Sequence, residues 1–262
     1  MKVSVLASGS KGNCTYLETE KAKILIDAGI SNLQINSRLK ILELSADKLD
    51  GVLVTHEHTD HVSGLPVFLK RNGASCYLTK ETYNSMYYKV KENISYDQLS
   101  FIVPGETFYI KDIEILPFSI SHDASDAVGY ILKTEGKKIV YVTDIGYLPQ
   151  KDYEMLSNAD LYIFESNYDV TKLFTSNRPF YLKQRIDSVK GHLSNNDAAY
   201  NLVKLIGDKT KQIILAHASR ECNDKFVAVE TFKEVFGEYD LKVEDYNLMV
   251  ASQDVPTPLI KL

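Results

Sequence analysis

The stretch Gly51-Val-Leu-Val-Thr-His-Glu-His-Thr-Asp-His61 puts His56, His58, Asp60 and His61 within six residues, directly after an apolar run. In an extended segment alternate side chains share a face, so His56, His58 and Asp60 can point one way while Glu57 and Thr59 point the other. His61 then reaches back from the turn that follows. A catalytic ion of the zinc type takes about three protein ligands and keeps a position open for water. Four ligands this close, with more His and Asp elsewhere, therefore suggest two ions sharing one site. A solvated charged loop is the plainer alternative, but such a cluster at a strand end repels itself unless metal or protons intervene.

The remaining histidines strengthen the case. The chain has six, and the three outside the cluster, His122, His192 and His217, each sit at a predicted strand end or helix start. His122 follows the apolar segment Ile115 to Ile120, and His217 ends the run Ile213 to Ala216. Loops at strand ends are where sheet proteins build sites. Asp144 closes the strand Lys138 to Thr143, and a carboxylate can bridge two cations where an imidazole cannot.

Strands alternate with segments of helical periodicity over Leu33–Glu43, His61–Arg71, Thr82–Glu92, Asn196–Ile206 and Asp224–Phe236. An internal repeat frames them. Val5 to Gly29 runs strand, turn, strand, turn, strand and then Asp27, and Phe118 to Gly146 repeats the order and ends in Asp144. The segment GHLSNNDAA places His192, Ser194 and Asn195 at a helix start, where free N–H groups attract phosphate and a histidine can protonate a leaving oxygen. A plain helix cap would use the same residues. Lys172, Arg178, Lys183, Arg185 and Lys190 form a basic strip among Phe174, Phe180 and Tyr181, which suits phosphates and exposed bases; a solvated surface is the alternative. In Ser8–Asn13, SGSKGN, the glycines permit close backbone approach to a phosphate and Lys11 supplies a point charge, although an ordinary turn looks the same.

These motifs resemble the metallo-β-lactamase fold hydrolases, whose HxHxDH signature is matched in full by His56, His58, Asp60 and His61. SVLASGSKGN at 4–13, ILIDAG at 24–29, YIFESN at 162–167, LKQRI at 182–186 and GHLSN at 191–195 are similar to the YycJ/WalJ branch, over essentially the whole chain. The resemblance implies an α/β protein, a four-layer αβ/βα sandwich of two similar halves. It further implies a dinuclear metal-dependent nuclease, with 5′ to 3′ exonuclease action on double-stranded DNA and a place in mismatch repair. His56, His58 and His122 would hold one ion, Asp60, His61 and His217 the other, and Asp144 would bridge. His192 and Asp60 are the expected catalytic residues, and Ser194, Asn195, Lys11, Lys183 and Arg185 the expected substrate contacts. Tyr168 and Cys222 depart from the branch pattern. A small-substrate hydrolase acting on a thioester, lactone or cyclic nucleotide, or an RNA-processing nuclease of ribonuclease Z type, is the rival reading.

Composition is compatible with this. The 262 residues, 44% hydrophobic and 25% charged, with no linker-like tract, read as one domain over 1–262. The apolar stretch Val3 to Ala7 is too short for a membrane span or an export signal, and Cys14, Cys76 and Cys222 make no CxxC pair, so the cytoplasm is the expected compartment. The net charge of -5 argues against broad nucleic-acid binding, yet two divalent cations would reverse the sign locally. A mixed His and Asp ligand set suits zinc, manganese or iron.

Overall fold

Three short apolar runs separated by turn residues open the chain as an antiparallel meander: β1 (Lys2–Ala7), β2 (Cys14–Glu18) and β3 (Lys23–Ile26). From there the chain adds strands in parallel, each reached through helix, as a parallel crossover requires. Helix α1 (Asn32–Ile41) leads to β4 (Gly51–Leu53), α2 (Thr59–Val62) and α3 (Leu65–Asn72) to β5 (Ser75–Leu78), and α4 (Lys80–Ser85) and α5 (Tyr88–Lys91) to β6 (Leu99–Phe101). An antiparallel meander follows, β7 (Phe108–Ile110), β8 (Ile113–Ser119) and β9 (Val128–Thr134). The computed structural model describes residues 1–262, and its strands form two mixed seven-stranded sheets with flanking helices.

The chain folds as two compact units. The first comprises Met1–Ser119, Ala124–Gly136 and Ser252–Leu262, the second Ile120–Asp123 and Lys137–Ala251. In the first, the closing strand β14 (Ile260–Lys261) pairs with β1 and gives the order β14-β1-β2-β3-β4-β5-β6. Its core gathers Leu25, Val52, Val54, Phe68, Leu69 and Leu78; truncating a buried phenylalanine such as Phe68 costs about 3–5 kcal/mol. The second unit carries four parallel strands, β10 (Lys137–Val142), β11 (Leu161–Glu165), β12 (Gln212–Ala216) and β13 (Met249–Val250). β11 and β12 are buried along their whole length, the reason residues 161–164 and 213–216 read as unbroken apolar runs rather than alternating ones. Helices α6 (Tyr153–Leu156), α7 (Val170–Thr175), α8 (Phe180–Ile186), α9 (Asn195–Leu205) and α10 (Lys225–Gly237) complete it, with α9 packed on α10.

Two segments expected as single helices are each broken. His61–Arg71 divides into α2 and α3 because Gly64 donates its N–H to Ala28 O at 2.8 Å, and a Cβ on Gly64 would lie 1.9 Å from Ile30 O. Pro66 then starts α3 without needing an N–H partner. Thr82–Glu92 divides where Met86 turns extended, with ψ 142°. The internal repeat maps onto β1–β3 and β8–β10. Both copies end alike, since Asp27 and Asp144 leave their strands in the left-handed region at φ 59° and 58°, a conformation aspartate tolerates better than most residues.

Candidate metal centre

In the first unit β4 delivers the motif. His56 and His58 converge as the alternation argument expects, Nε2 of the first lying 3.0 Å from Nδ1 of the second. Glu57 points elsewhere and accepts Ser125 N at 2.8 Å. Asp60 is brought in differently, by the turn into α2 rather than by strand alternation, and its Oδ2 lies 3.5 Å from His61 Nε2. Beneath them Asp27, wholly buried at the end of β3, organises the rings. Its Oδ2 takes His61 Nδ1 at 2.7 Å, and its Oδ1 takes Thr55 N at 2.8 Å. The Thr55 hydroxyl donates to Asp27 and so can receive Nδ1–H of His56 at 3.0 Å. With both Nδ1 atoms protonated in this way, Nε2 of His56 and of His61 carries the lone pair a metal needs. Burial pushes the Asp27 carboxyl up, while the His61 and Thr55 contacts pull it back toward ionisation.

In the second unit Glu165 does the same work at the end of β11. It is wholly buried, and its Oε1 accepts His192 Nδ1 at 2.9 Å and His217 Nδ1 at 3.0 Å. Oε2 takes the N–H groups of Ile145 and Leu193 at 3.0 and 3.1 Å. Burial alone would raise its pKa, but the charge on His192 and the hydrogen bonds from both rings outweigh it and hold the carboxyl down at about 2. Ligating atoms of Asp144, Glu165, His192 and His217 lie within 4.8 Å of one another. His122 gives Nδ1–H to Gly191 O at 3.2 Å, so its Nε2 carries the lone pair, 3.9 Å from Asp144 Oδ1. Burial lowers the pKa of His122 and Asp144 opposes the shift. His217, like Asp144, sits at positive φ, 56°; strained backbone of this kind gathers at functional sites.

Imidazole nitrogens and carboxylate oxygens are a donor set that fits a borderline divalent cation. Facing nitrogens such as those of His56 and His58 need a proton or a cation between them. The His and Asp clusters are consistent with a dinuclear metal site.

The expected substrate contacts fare differently. Asn195 is wholly buried and its amide is spent on Ser166 and Asn223, at 2.6 to 3.0 Å. Ser194 caps α9, accepting Asp197 N at 3.1 Å and donating to Asp197 Oδ2 at 2.6 Å; that first-turn carboxylate opposes an anion. Lys183 is buried and its ammonium closes on Phe174 O and Ser176 O, both at 2.7 Å. Within the basic strip, Lys172 pairs with Asp224, Arg178 with Glu221 at 2.9 Å and Arg185 with Asp123 at 2.5 Å. The sequence count missed these partners because they lie 43 to 62 residues away. Asn195, Ser194 and Lys183 thus each spend these polar groups on contacts within the chain. Lys11 stays exposed, while Asn13 of the same loop turns its amide toward Asp60 Oδ2 at 3.2 Å and His61 Nε2 at 3.0 Å. Tyr168 and Cys222 pack together with Leu173 and Ile186 in a small apolar cluster. Asp27, Glu165 and Asn13 were not recognisable as site residues from spacing, although each closes or borders an apolar strand.

Residues 22–218 match the family model described as the Beta-lactamase superfamily domain. Exodeoxyribonuclease WalJ of Streptococcus pneumoniae is 38% identical over 263 residues, spanning 100% of this chain and 98% of that protein. Exodeoxyribonuclease YycJ of Bacillus anthracis is 36% identical over 257 residues, 98% and 97% of the two chains. Among solved structures, Zn(2+)-bound PqqB from Methylobacterium extorquens superposes with TM-score 0.73 at 16% identity over the full length of both chains. YhfI from Bacillus subtilis gives 0.70, also at 16%, over 98% of each. These likenesses identify the fold as that of the metallo-β-lactamases, and the chain belongs to the metallo-β-lactamase superfamily, alongside the WalJ and YycJ exodeoxyribonucleases.

Proposed function

We propose that this chain is a dinuclear metal-dependent exodeoxyribonuclease that digests double-stranded DNA from 5′ to 3′ and serves mismatch repair. The observation that carries it is the pair of buried carboxylates, Asp27 and Glu165, each fixing Nδ1 of a histidine so that Nε2 is presented. The full-length identity to proteins named exodeoxyribonucleases supports the substrate. In this reading residues 1–262 act as one domain. His56, His58 and His122 would hold one ion and Asp60, His61 and His217 the second, with Asp144 available to both. Two ions of zinc, manganese or iron would supply Lewis acidity and a water acidic enough to attack phosphorus near neutral pH.

The chain's own residues do the rest. His192, half-buried and held through Nδ1 by Glu165, directs Nε2 outward as the proton donor to the departing oxygen. Asp60 counts with it as catalytic because its carboxylate, beside His61, orients the attacking water. No helix is long and apolar enough to cross a membrane. Cys14, Cys76 and Cys222 are free and buried, and we assign the protein to the cytoplasm on that basis. The deciding experiment supplies zinc, manganese or iron in turn to the purified protein with 5′- and 3′-labelled DNA duplexes and RNA. Release of nucleotides from the 5′ end of the duplex is expected. Cleavage of RNA alone, or of a small phosphodiester alone, overturns the assignment in favour of the corresponding rival.

A further inference from the structure

Val67, Lys70, Tyr87 and Lys89 line a groove of 550 Å³ on the first unit, and its wall includes Thr59, the residue between His58 and Asp60 in the ligand motif. A second depression, of 390 Å³, shares Ser63 and Val67 with the first and adds Leu33 and Arg71. No carboxylate lines either one. Lys70, Arg71 and Lys89 are exposed and form no ion pair. Three uncompensated cations in one place, on a chain of net charge -5, are a local reversal of sign that a polyanion would complement. The basic strip at 172–190 offers a contrast, since Lys172, Arg178 and Arg185 are each met by an acid, Asp224, Glu221 and Asp123.

The apolar part of the groove is equally exposed, with Lys89 Nζ lying 5.9 Å from the centre of the Tyr88 ring. Tyr87 is 50% exposed and Tyr88 58%, their rings 4.8 Å apart edge to face, and Val67 is 54% exposed. Exposed rings beside cations are the arrangement that grips a single strand, because every base has a face on which an aromatic can stack. A duplex hides those faces within its own stack. We propose that this groove holds the unpaired end of the DNA strand being digested, with Lys70, Arg71 and Lys89 on its phosphates and Tyr87 stacked on a base. The strand then passes Thr59 and so enters the HEHTDH motif directly. This assignment rests on the nuclease reading above.

The test is equilibrium binding of a short fluorescent phosphorothioate oligodeoxynucleotide, which resists cleavage, to the metal-loaded protein over a range of salt concentrations. Lys70→Glu combined with Lys89→Glu should weaken binding about tenfold or more. The slope of log affinity against log salt should become shallower by roughly 0.7 for each phosphate no longer neutralised. Tyr87→Ala should weaken binding about 5- to 100-fold with the slope unaltered, and Tyr87→Phe should restore it. Metal content and melting temperature report folding, and Lys70→Gln with Lys89→Gln replaces the charge reversal if that variant unfolds. Variants that bind like the wild type, in a protein that does digest DNA, overturn the groove alone. Wild-type protein that hydrolyses a small phosphodiester but neither binds nor cuts DNA overturns the nuclease reading and the groove with it. An acidic peptide that binds as well as the oligonucleotide, with Tyr87→Ala without effect, also overturns it.

Discussion

Glu165→Gln keeps the shape of the side chain and removes its charge, which makes it the sharpest probe of the second cluster. The carboxylate accepts from His192, His217 and Asp144 N on Oε1, and from Ile145 N and Leu193 N on Oε2. Whichever way the glutamine amide turns, its NH2 group faces at least two buried donors instead of accepting from them. Stranding two such donors costs roughly 1–3 kcal/mol each, and breaking a buried charged pair costs about 3–5 kcal/mol, so a loss on the order of 4 kcal/mol is expected. Urea unfolding of the metal-free protein near neutral pH measures it. The wild-type carboxyl titrates at about 2 in the folded state against an ordinary value of 4.5. Its stabilisation is therefore present above the ordinary value and is lost as pH falls through that window. The gap between wild type and variant should narrow on acidification. Metal affinity of the variant should fall by about 10- to 100-fold, as for other residues that orient metal-bound histidines. A loss under about 1 kcal/mol, or a gap that widens as pH falls, would show that Glu165 does not hold these donors as an ionised acceptor.

Asp27→Asn should leave His61 without a strong Nδ1 acceptor and lower metal affinity by about 10- to 100-fold, measured by competition with a chelating dye. His192→Ala should retain its metal by elemental analysis but lose about 10²- to 10⁴-fold in turnover, with rescue by a substrate carrying a good leaving group. Wild-type turnover in that variant removes His192 from the proton-donor role. Gly29→Ala should cost about 3 kcal/mol or more in denaturant unfolding, because its Cβ would lie 1.6 Å from Asp60 O, the carbonyl that also receives Asn13 N.

Much of this was legible along the chain because strand ends announce themselves. A run such as Ile213 to Ala216 closing on His217 places the histidine before any coordinate is known, and the same holds for His122 and Asp144. The repeat ending in Asp27 and Asp144 was visible too, although not that both residues take positive φ. Asp27 and Glu165 escaped notice as site residues because a carboxylate that orients a histidine has no fixed spacing from it. The signal was there in another form: each ends a wholly apolar strand, ILID and LYIFE, where an ionised group needs a partner. The broken helices at Gly64 and Met86 depended on contacts with Ala28 and Ile30 and on local backbone, which periodicity does not report. The ion pairs of the basic strip were hidden for a similar reason. Charge counted along a segment says nothing of Asp123, Glu221 and Asp224, which meet it from elsewhere in the sequence.

Central to the proposed function is that His56, His58, Asp60, His61, His122, Asp144 and His217 hold one pair of ions. Anomalous X-ray scattering, collected at the absorption edge of the reconstituted metal, tests it most directly. Two peaks about 3.5–4 Å apart are expected, one against His56, His58 and His122, the other against Asp60, His61 and His217, with Asp144 touching both. A single peak, or two peaks confined to separate clusters with no shared Asp144, would contradict it.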